Sequence, residues 1–503
     1  MIRWIRKRRW VWIPLIVLAI AFIFVGRPAF LLIRVAINDR DKRRQLPQGI
    51  ADDVSRLNAT HIAEFWDMPS SDDAEEQLRD LIARAKRQGL RVSIAGARHS
   101  MGGQTLYPNG IQINMLPYHR MTLDEGRNIL EVQAGARWSD VVPFLDQHRR
   151  AVSVMQASNS FSVGGSLSVN CHGWQPGRAP IASTVESFRL MDADGEIIQC
   201  SRTENPQLFS LALGGYGLFG IILDARIHVV PNERYEMHQY VFPISQFLAT
   251  WKDHVIQSSD VGLALGRLSV VPDDFLNHAL LYTFTRASGP LPPFLDPGLQ
   301  KFARYLFLGS VDSDYGKQLR WEIESNLATR LAQSFYSRTQ LQSISAEVIA
   351  NRTADTTDTL QEYFVPYDGF GNFIAQMRSV IPRNGANLLN VTLRDVRQDP
   401  DTFLHYADRD MIALVLLFHQ KLTDTDESRM GALTQQLIDA VLSCGGRYYL
   451  PYRLEATARQ FEQAYPQARN FFDLKRHYDP DELFQNEMYV RYGSLSELKP
   501  AVP

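Results

Sequence analysis

The sequence predicts an α+β fold with length for two or three domains. Three observations carry this. Short strand-like runs alternate with short helices up to about residue 232, without the repeated strand–helix–strand units of a doubly wound sheet. The turn "DADG" joins two strand-like runs within "VESFRLMDADGEIIQCS" (185–201), a strong hairpin signal. The 503 residues are 45% hydrophobic and 21% charged, an ordinary globular composition able to fill more than one core.

The N-terminus stands apart. "MIRWIRKRR" is strongly basic, and "WVWIPLIVLAIAFIFVG" (Trp10–Gly26) follows with no charge. As a helix that run covers roughly 25 Å, slightly short of a hydrocarbon core. Continuing through "RPAFLLI" lengthens it and leaves only Arg27 to snorkel. No small-x-small site follows the run, which favours an uncleaved single-pass anchor over residues 10–33 against a cleaved leader. Basic residues flank both sides, so the positive-inside rule leaves the orientation open.

A charged linker, "INDRDKRRQLPQG" (37–49), leads to the body. "SSDDAEEQLRDLIARAKRQG" (70–89) predicts an amphipathic helix: acidic start, Leu78, Leu81, Ile82 and Ala85 on one face, and Gly89 as the stop. "GLRVSIAG", "GIQINM" (110–115) and "NILEVQAGA" (128–136) alternate as strands do. "WSDVVPFLDQHRR" (138–150) reads as a short helix despite Pro143. "NPQLFSLALGGYG" (205–217) places Pro at the first helical position and ends in glycines. "LFGIILDARIHVVP" (218–231) is a long strand. From 233 to about 450, longer amphipathic segments such as "MGALTQQLIDAVLSCGG" (430–446) and strand-like runs such as "ALVLLFH" (413–419) suggest a second domain. "FFDLKRHYDPDELFQN" (471–486) reads as helix then turn.

A formal net charge of −2 gives no sign of a nucleic-acid partner. Cys171, Cys200 and Cys444 fit neither a zinc pattern nor C-x-x-C, so no metal site and no disulfide framework is expected.

The densest local signal is "SIAGARHSMGGQ" (93–104). Behind a strand-like run, Gly96, Gly102 and Gly103 free the backbone to turn sharply, and turned backbone N–H groups make a nest for anions such as phosphate. The pattern is neither a Walker loop nor G-x-G-x-x-G. Three further stretches accompany it: "SFSVGGSLSVNCHGWQ" (160–175), "LALGGYGLFGIILDARIHVVP" (211–231) and "KRHYDPDELFQN" (475–486). In this order the four resemble the flavin-binding signature of the vanillyl-alcohol oxidase/p-cresol methylhydroxylase (PCMH) superfamily.

That resemblance implies FAD as cofactor, held in an elongated cradle. It implies a PCMH-type FAD-binding domain of two α+β subdomains at 45–232, after an anchor and basic linker at 1–44. A substrate or cap domain on an antiparallel sheet would follow at 233–450, and 451–503 would return to the FAD domain. The cofactor-binding positions carried over are Gly96, Ala97, Arg98, His99, Ser100, Gly102 and Gly103 in the first loop. Gly164, Gly165, Ser168, His172 and Gly173 follow in the second. Gly215, Gly220, Ile221 and Ile222 lie in the third, and Asn486 in the tail.

Within the superfamily "GARHS" looks most like the sugar-lactone and alditol oxidases, which implies a covalent bond from His99 to the flavin 8α-methyl group. A neutral imidazole is a competent nucleophile for such a bond. "LQEYFVP" (360–366) and "NVTLRDV" (390–396) are similar to two strands of the alditol-oxidase branch and nominate Glu362 and Arg394 as catalytic. On the residues alone, a carboxylate and a guanidinium on neighbouring strands are equally a structural ion pair. One departure matters: the "HWxK" motif of that branch is missing, and "GGRYYLPYRLEAT" (445–457) stands in its place, with Tyr452 and Arg453 near the expected position. The substrate therefore stays open among a polyol, a sugar lactone and a lipid-like molecule. Two alternatives remain: a tethered flavoprotein passing electrons to a partner or quinone, and an enzyme like the membrane-bound sterol Δ24-reductases.

Overall fold

The structure is a computed structural model that describes residues 25–294, 298–327 and 334–494. Two short strands, β1 (Ile50–Ala51) and β2 (Thr60–His61), pair after the linker. A parallel sheet follows, with β3 (Glu64–Asp67), β4 (Val92–Ala95) and β5 (Ile111–Asn114) in the order β3-β5-β4. Parallel strands need a crossover. Between β3 and β4 it is a helix, Ala74–Gln88, that buries Leu78, Leu81, Ile82 and Ala85. Glu75 and Glu76 open that helix and Lys86 and Arg87 close it, in the sense the helix dipole favours, before Gly89 turns left-handed. One strand–helix–strand unit therefore exists, and it is not repeated in the sheets that follow. The burial of β3 merely alternates between exposed and half-buried, so "EFWD" gives a weak strand signal.

The second sheet runs β10-β9-β11-β7-β6, built from β6 (Met121–Asp124), β7 (Ile129–Gln133), β9 (Val185–Met191), β10 (Ile197–Ser201) and β11 (Ile221–Pro231). The far end of β11 pairs with β8 (Arg150–Val152). The expected hairpin is the antiparallel pair β9 and β10.

The third sheet has eight strands, all antiparallel to their neighbours, in the order β15-β12-β14-β13-β17-β18-β16-β19. They are β12 (Arg234–Pro243), β13 (Val261–Leu268), β14 (His278–Arg286), β15 (Phe335–Ser337), β16 (Thr356–Pro366), β17 (Asn387–Val396), β18 (Met411–Lys421) and β19 (Arg447–Tyr448). The helices Phe370–Arg383 and Asp424–Ser443 pack against each other and on this sheet. Side chains alternate across a strand, so Leu360 and Glu362 of β16 share a face with Val415 and Leu417 of β18 and with Asn390, Thr392 and Arg394 of β17. All of these line one large cavity. The tail returns to the first sheet, where Val92 bridges Phe484 in parallel and its N–H donates to the Leu483 carbonyl at 2.8 Å.

At the N-terminus, residues 1–24 hold most of the expected anchor and lie outside the described residues. Among the described residues no helix is long and apolar enough to cross a membrane. The last part of the expected span is corrected: residues 27–33 belong to helix α1 (Arg27–Asn38), which docks on helix α2 (Gly298–Gly309). Leu31 is buried, with Gly309 beneath Leu31 and Val35. Arg27 sits 3.6 Å over the Tyr315 ring, and Asp39 pairs with Arg304 at 2.6 Å. Hydropathy counts apolar residues, and these are apolar. It does not register that one side of the helix already has a protein partner.

Candidate active site

The glycine-rich knot begins where β4 ends. Gly96 has no room for a side chain, since a Cβ there would lie 2.0 Å from the Ser162 hydroxyl oxygen. That hydroxyl caps the short helix Val163–Ser168, accepting from the Gly165 N–H, and also accepts from the Ala97 N–H at 3.3 Å. Two of the sequence motifs, nearly seventy residues apart, thus meet on one oxygen. Gly96→Ala is expected to push Ser162 off both donors. Overpacking of this kind costs about 1–3 kcal/mol, so the melting temperature and the bound-flavin absorbance should fall together. A variant with full flavin content and unchanged melting would show that the close approach of Gly96 to Ser162 supports neither the fold nor the flavin site.

The rest of the loop divides into two parts. Arg98 adopts a left-handed φ of 56°, and its guanidinium donates to Gln112 at 2.7 Å. Among the described residues the backbone N–H groups of Arg98, His99 and Ser100 find no protein acceptor, and the Ser100 and Thr105 hydroxyls are buried without a partner. This is the donor-rich concavity that an anionic cofactor requires. Gly102 and Gly103 serve the protein instead. The Gly102 N–H donates to Gln104 and the Gly103 N–H to the buried Asp53 carboxylate. Gly103, at φ 71°, lies so close to Glu487 that a Cβ would meet its Cγ at 2.6 Å.

The cavity has a volume of about 1620 Å³, larger than the roughly 300–1,000 Å³ of pockets for drug-sized ligands. Gly96, Ala97, Arg98, His99 and Ser100 line it, with Gly164, Gly165, Ser168 and His172 from the second motif and Gly220 and Ile222 from the third. The other nominated positions stand behind the wall. Gly102 and Gly103 face the C-terminal segment, Gly173 abuts the Met155 carbonyl, and Gly215 abuts that of Leu211. Ile221 is fully buried in the core, and Asn486 uses its amide to hold the Tyr216 carbonyl at 2.9 Å. Volume, unpartnered donors and side-chain-free approaches fit a dinucleotide such as FAD.

His99 stacks on Phe161, with ring centroids 4.3 Å apart. Burial, and then the charge of Arg137, push its pKa down to about 4 against the opposing pull of the Ser160 backbone and Glu347. The imidazole is therefore neutral throughout the physiological range.

Glu362 is the polar focus of the cavity floor. Its side chain is fully enclosed, and each oxygen has a donor: His172 Nε2–H to Oε1 at 2.6 Å and the Tyr452 hydroxyl to Oε2 at 3.2 Å. Burial pushes its pKa up. The charge and hydrogen bond of His172, the charge of Arg394 and the Tyr452 hydroxyl outweigh that and hold the carboxyl below its ordinary value. Arg394 lies across the intervening strand, because β18 separates β16 from β17. The expectation of neighbouring strands is thus corrected. No ion pair joins Arg394 to Glu362 or to any other carboxylate among the described residues, and its Nε is buried without a partner. Sequence reasoning placed His172 among the cofactor-binding backbone elements and did not foresee its bond to a carboxylate 190 residues away. For Tyr452 the sequence offers only a position near that of the missing motif, and the structure adds its hydrogen bond to Glu362.

Comparison with known proteins agrees with this geometry. Residues 73–201 match the family model described as FAD binding domain, FAD_binding_4. The chain is 28% identical over 169 residues to L-gulonolactone oxidase of Bos taurus, covering 33% of this chain and 38% of that protein. It is 30% identical over 201 residues to cytokinin dehydrogenase 2 of Arabidopsis thaliana, covering 39% of each. These matches span well under half the length of those two relatives. A longer match, 23% identical over 422 residues, reaches 83% of this chain and 94% of L-gulono-1,4-lactone dehydrogenase of Mycobacterium tuberculosis. Residues 73–201 are accordingly an FAD binding domain, and FAD is the cofactor of the chain.

Proposed function

We propose that the chain is an FAD-dependent oxidoreductase that oxidises an alcohol-bearing carbon; relatives named as a lactone oxidase and a lactone dehydrogenase support this reading. The observation that carries this reading is the Glu362 carboxylate: ionised, enclosed, held on both oxygens, and on the floor of the same cavity that the flavin loops line. Bound FAD supplies the two-electron acceptor for the oxidation. The chain supplies the remainder. The Glu362 carboxylate accepts the substrate hydroxyl proton, while His172 and Tyr452 fix its orientation. Arg394, with donors to spare, holds the substrate oxygen and stabilises negative charge on it. Residues 98–100 would offer backbone N–H groups to the pyrophosphate, and His99 would be the point of attachment for the flavin ring system. The charge-free run Trp10–Gly26 tethers the enzyme to a membrane.

The depressed pKa fixes a pH dependence. A carboxyl held below its ordinary 4.5 stays ionised at every pH above that value, and protonates only as the pH falls through the lower, folded-state value. The rate of anaerobic flavin reduction should therefore show no acid limb between about pH 5 and 8. An acid limb centred on pH 6–7 would assign the base to another group. The reading as a whole is tested by anaerobic bleaching of the flavin against polyols, aldonolactones, sterols and lipid-linked sugars. No bleaching by any of them would sink it.

A further inference from the structure

Helix α1 is apolar on more than one side. Leu31 faces α2, while Phe30, Ile33 and Ile37 on another side are 67%, 59% and 63% exposed. A helix apolar all round is ordinarily covered all round. The cavity opens beside it, bounded by Arg43, Arg44 and Leu46 of the linker, Ala303 of α2, and the 347–350 turn. Leu46 and Ile349 on this rim, and Phe302 one residue from Ala303, are also exposed.

The way inward carries apolar side chains beside polar ones such as Asn390 and Arg320. Phe307 of α2, Leu360 and Leu417 line the cavity between this rim and Glu362, and Leu360 precedes Glu362 on the same face of β16. One helix therefore does two things: α2 offers Phe307 to the passage and Gly309 to α1.

What covers the exposed face is indicated by the chain itself. It continues from the start of α1 into the charge-free run Trp10–Gly26, and Arg34, Arg40, Lys42 and Arg44 accompany the patch in sequence, suited to anionic headgroups, while Arg43 is paired with Asp41. We propose that the exposed face of α1 and the apolar rim of the cavity lie against a lipid bilayer, and that the substrate is an amphiphile whose alcohol-bearing head reaches Glu362 while its hydrocarbon tail lies along Phe307, Leu360 and Leu417. This rests on the reading of the cavity as the oxidising site.

The test uses the full-length holoprotein in phosphatidylcholine vesicles doped with phosphatidylglycerol, with two photoreactive probes. One is a phosphatidylcholine carrying a diazirine on its acyl chain. The other is a hexadecanol carrying a diazirine in mid-chain. Peptide mapping is expected to find the lipid probe on Phe30, Ile33, Ile37, Leu46 and Ile349, and the alcohol on Phe307, Leu360 or Leu417. The triple change Phe30→Glu, Ile33→Glu, Ile37→Glu should lower lipid labelling of Leu46 and Ile349 by about tenfold or more, since each apolar side chain losing its burial is worth about that factor. Its flavin content should stay unchanged.

Lipid labelling confined to residues 10–26 would overturn the bilayer contact. So would protection of the patch by a second copy of the chain, seen as cross-linked dimers. Failure of the alcohol to label the passage would overturn the amphiphile. A colourless protein, or a flavin that no alcohol or lactone bleaches, marks instead the failure of the underlying redox reading, and the labelling pattern is read independently of that result.

Discussion

Replacing Glu362 by Gln is expected to slow substrate-dependent flavin reduction by about 10²-fold or more, the usual scale for loss of a general base, while FAD stays bound. The substitution keeps the shape and still offers an oxygen to His172 Nε2–H, so the buried histidine keeps its partner. What is lost is the site that takes the hydroxyl proton. Arg394→Met should act in the same direction, because among the described residues its guanidinium makes no ion pair whose loss would unfold the sheet. Stopped-flow measurement of the reductive half-reaction and a melting curve on the same samples separate the outcomes. Both variants reducing within a few fold of wild type, with lowered melting temperatures, would make Glu362 and Arg394 structural.

His99→Ala is expected to abolish covalent flavin attachment completely. Acid precipitation of the wild type should leave the yellow colour on the protein, and the variant should release free FAD into the supernatant. His99 lines the cavity in the loop with unpartnered N–H groups, and its pKa of about 4 keeps the ring neutral and nucleophilic. Attachment should accordingly proceed at similar rates from pH 6 to 9. Free FAD from the acid-treated wild type would reject the linkage while leaving the cradle intact.

The elements legible in the sequence were those with a local signature. The 74–88 helix has its own apolar face and stop signal, the 185–201 hairpin its turn, and the loop at 96–103 its glycines. The missed features are those fixed by tertiary pairing. The place of β18 between β16 and β17 is a matter of strand order, which no local period encodes, so Glu362 and Arg394 were read one strand too close. The bond from His172 to Glu362 joins two residues with no sequence relation. α1 was read by hydropathy as the end of a membrane span, and Gly309, which accommodates it, lies more than 270 residues downstream.

The first flavin loop also grips the end of the chain. The Met101 N–H donates to the Pro451 carbonyl at 2.8 Å, and Gln104 reaches the carbonyls of Leu450 and Tyr452 at 2.7 and 3.1 Å. Asn486 in turn fixes the Tyr216 loop. The cradle is thus unfinished until nearly the whole polypeptide exists. A ribosome adding about 5–20 residues per second leaves an interval of roughly 20–70 s between emergence of Gln104 and arrival of Tyr452. Through that interval the early sheets wait with one wall open. Cofactor loading therefore falls late in biogenesis, and a nascent chain stalled before residue 450 carries the flavin-binding loops without a closed place to keep the flavin.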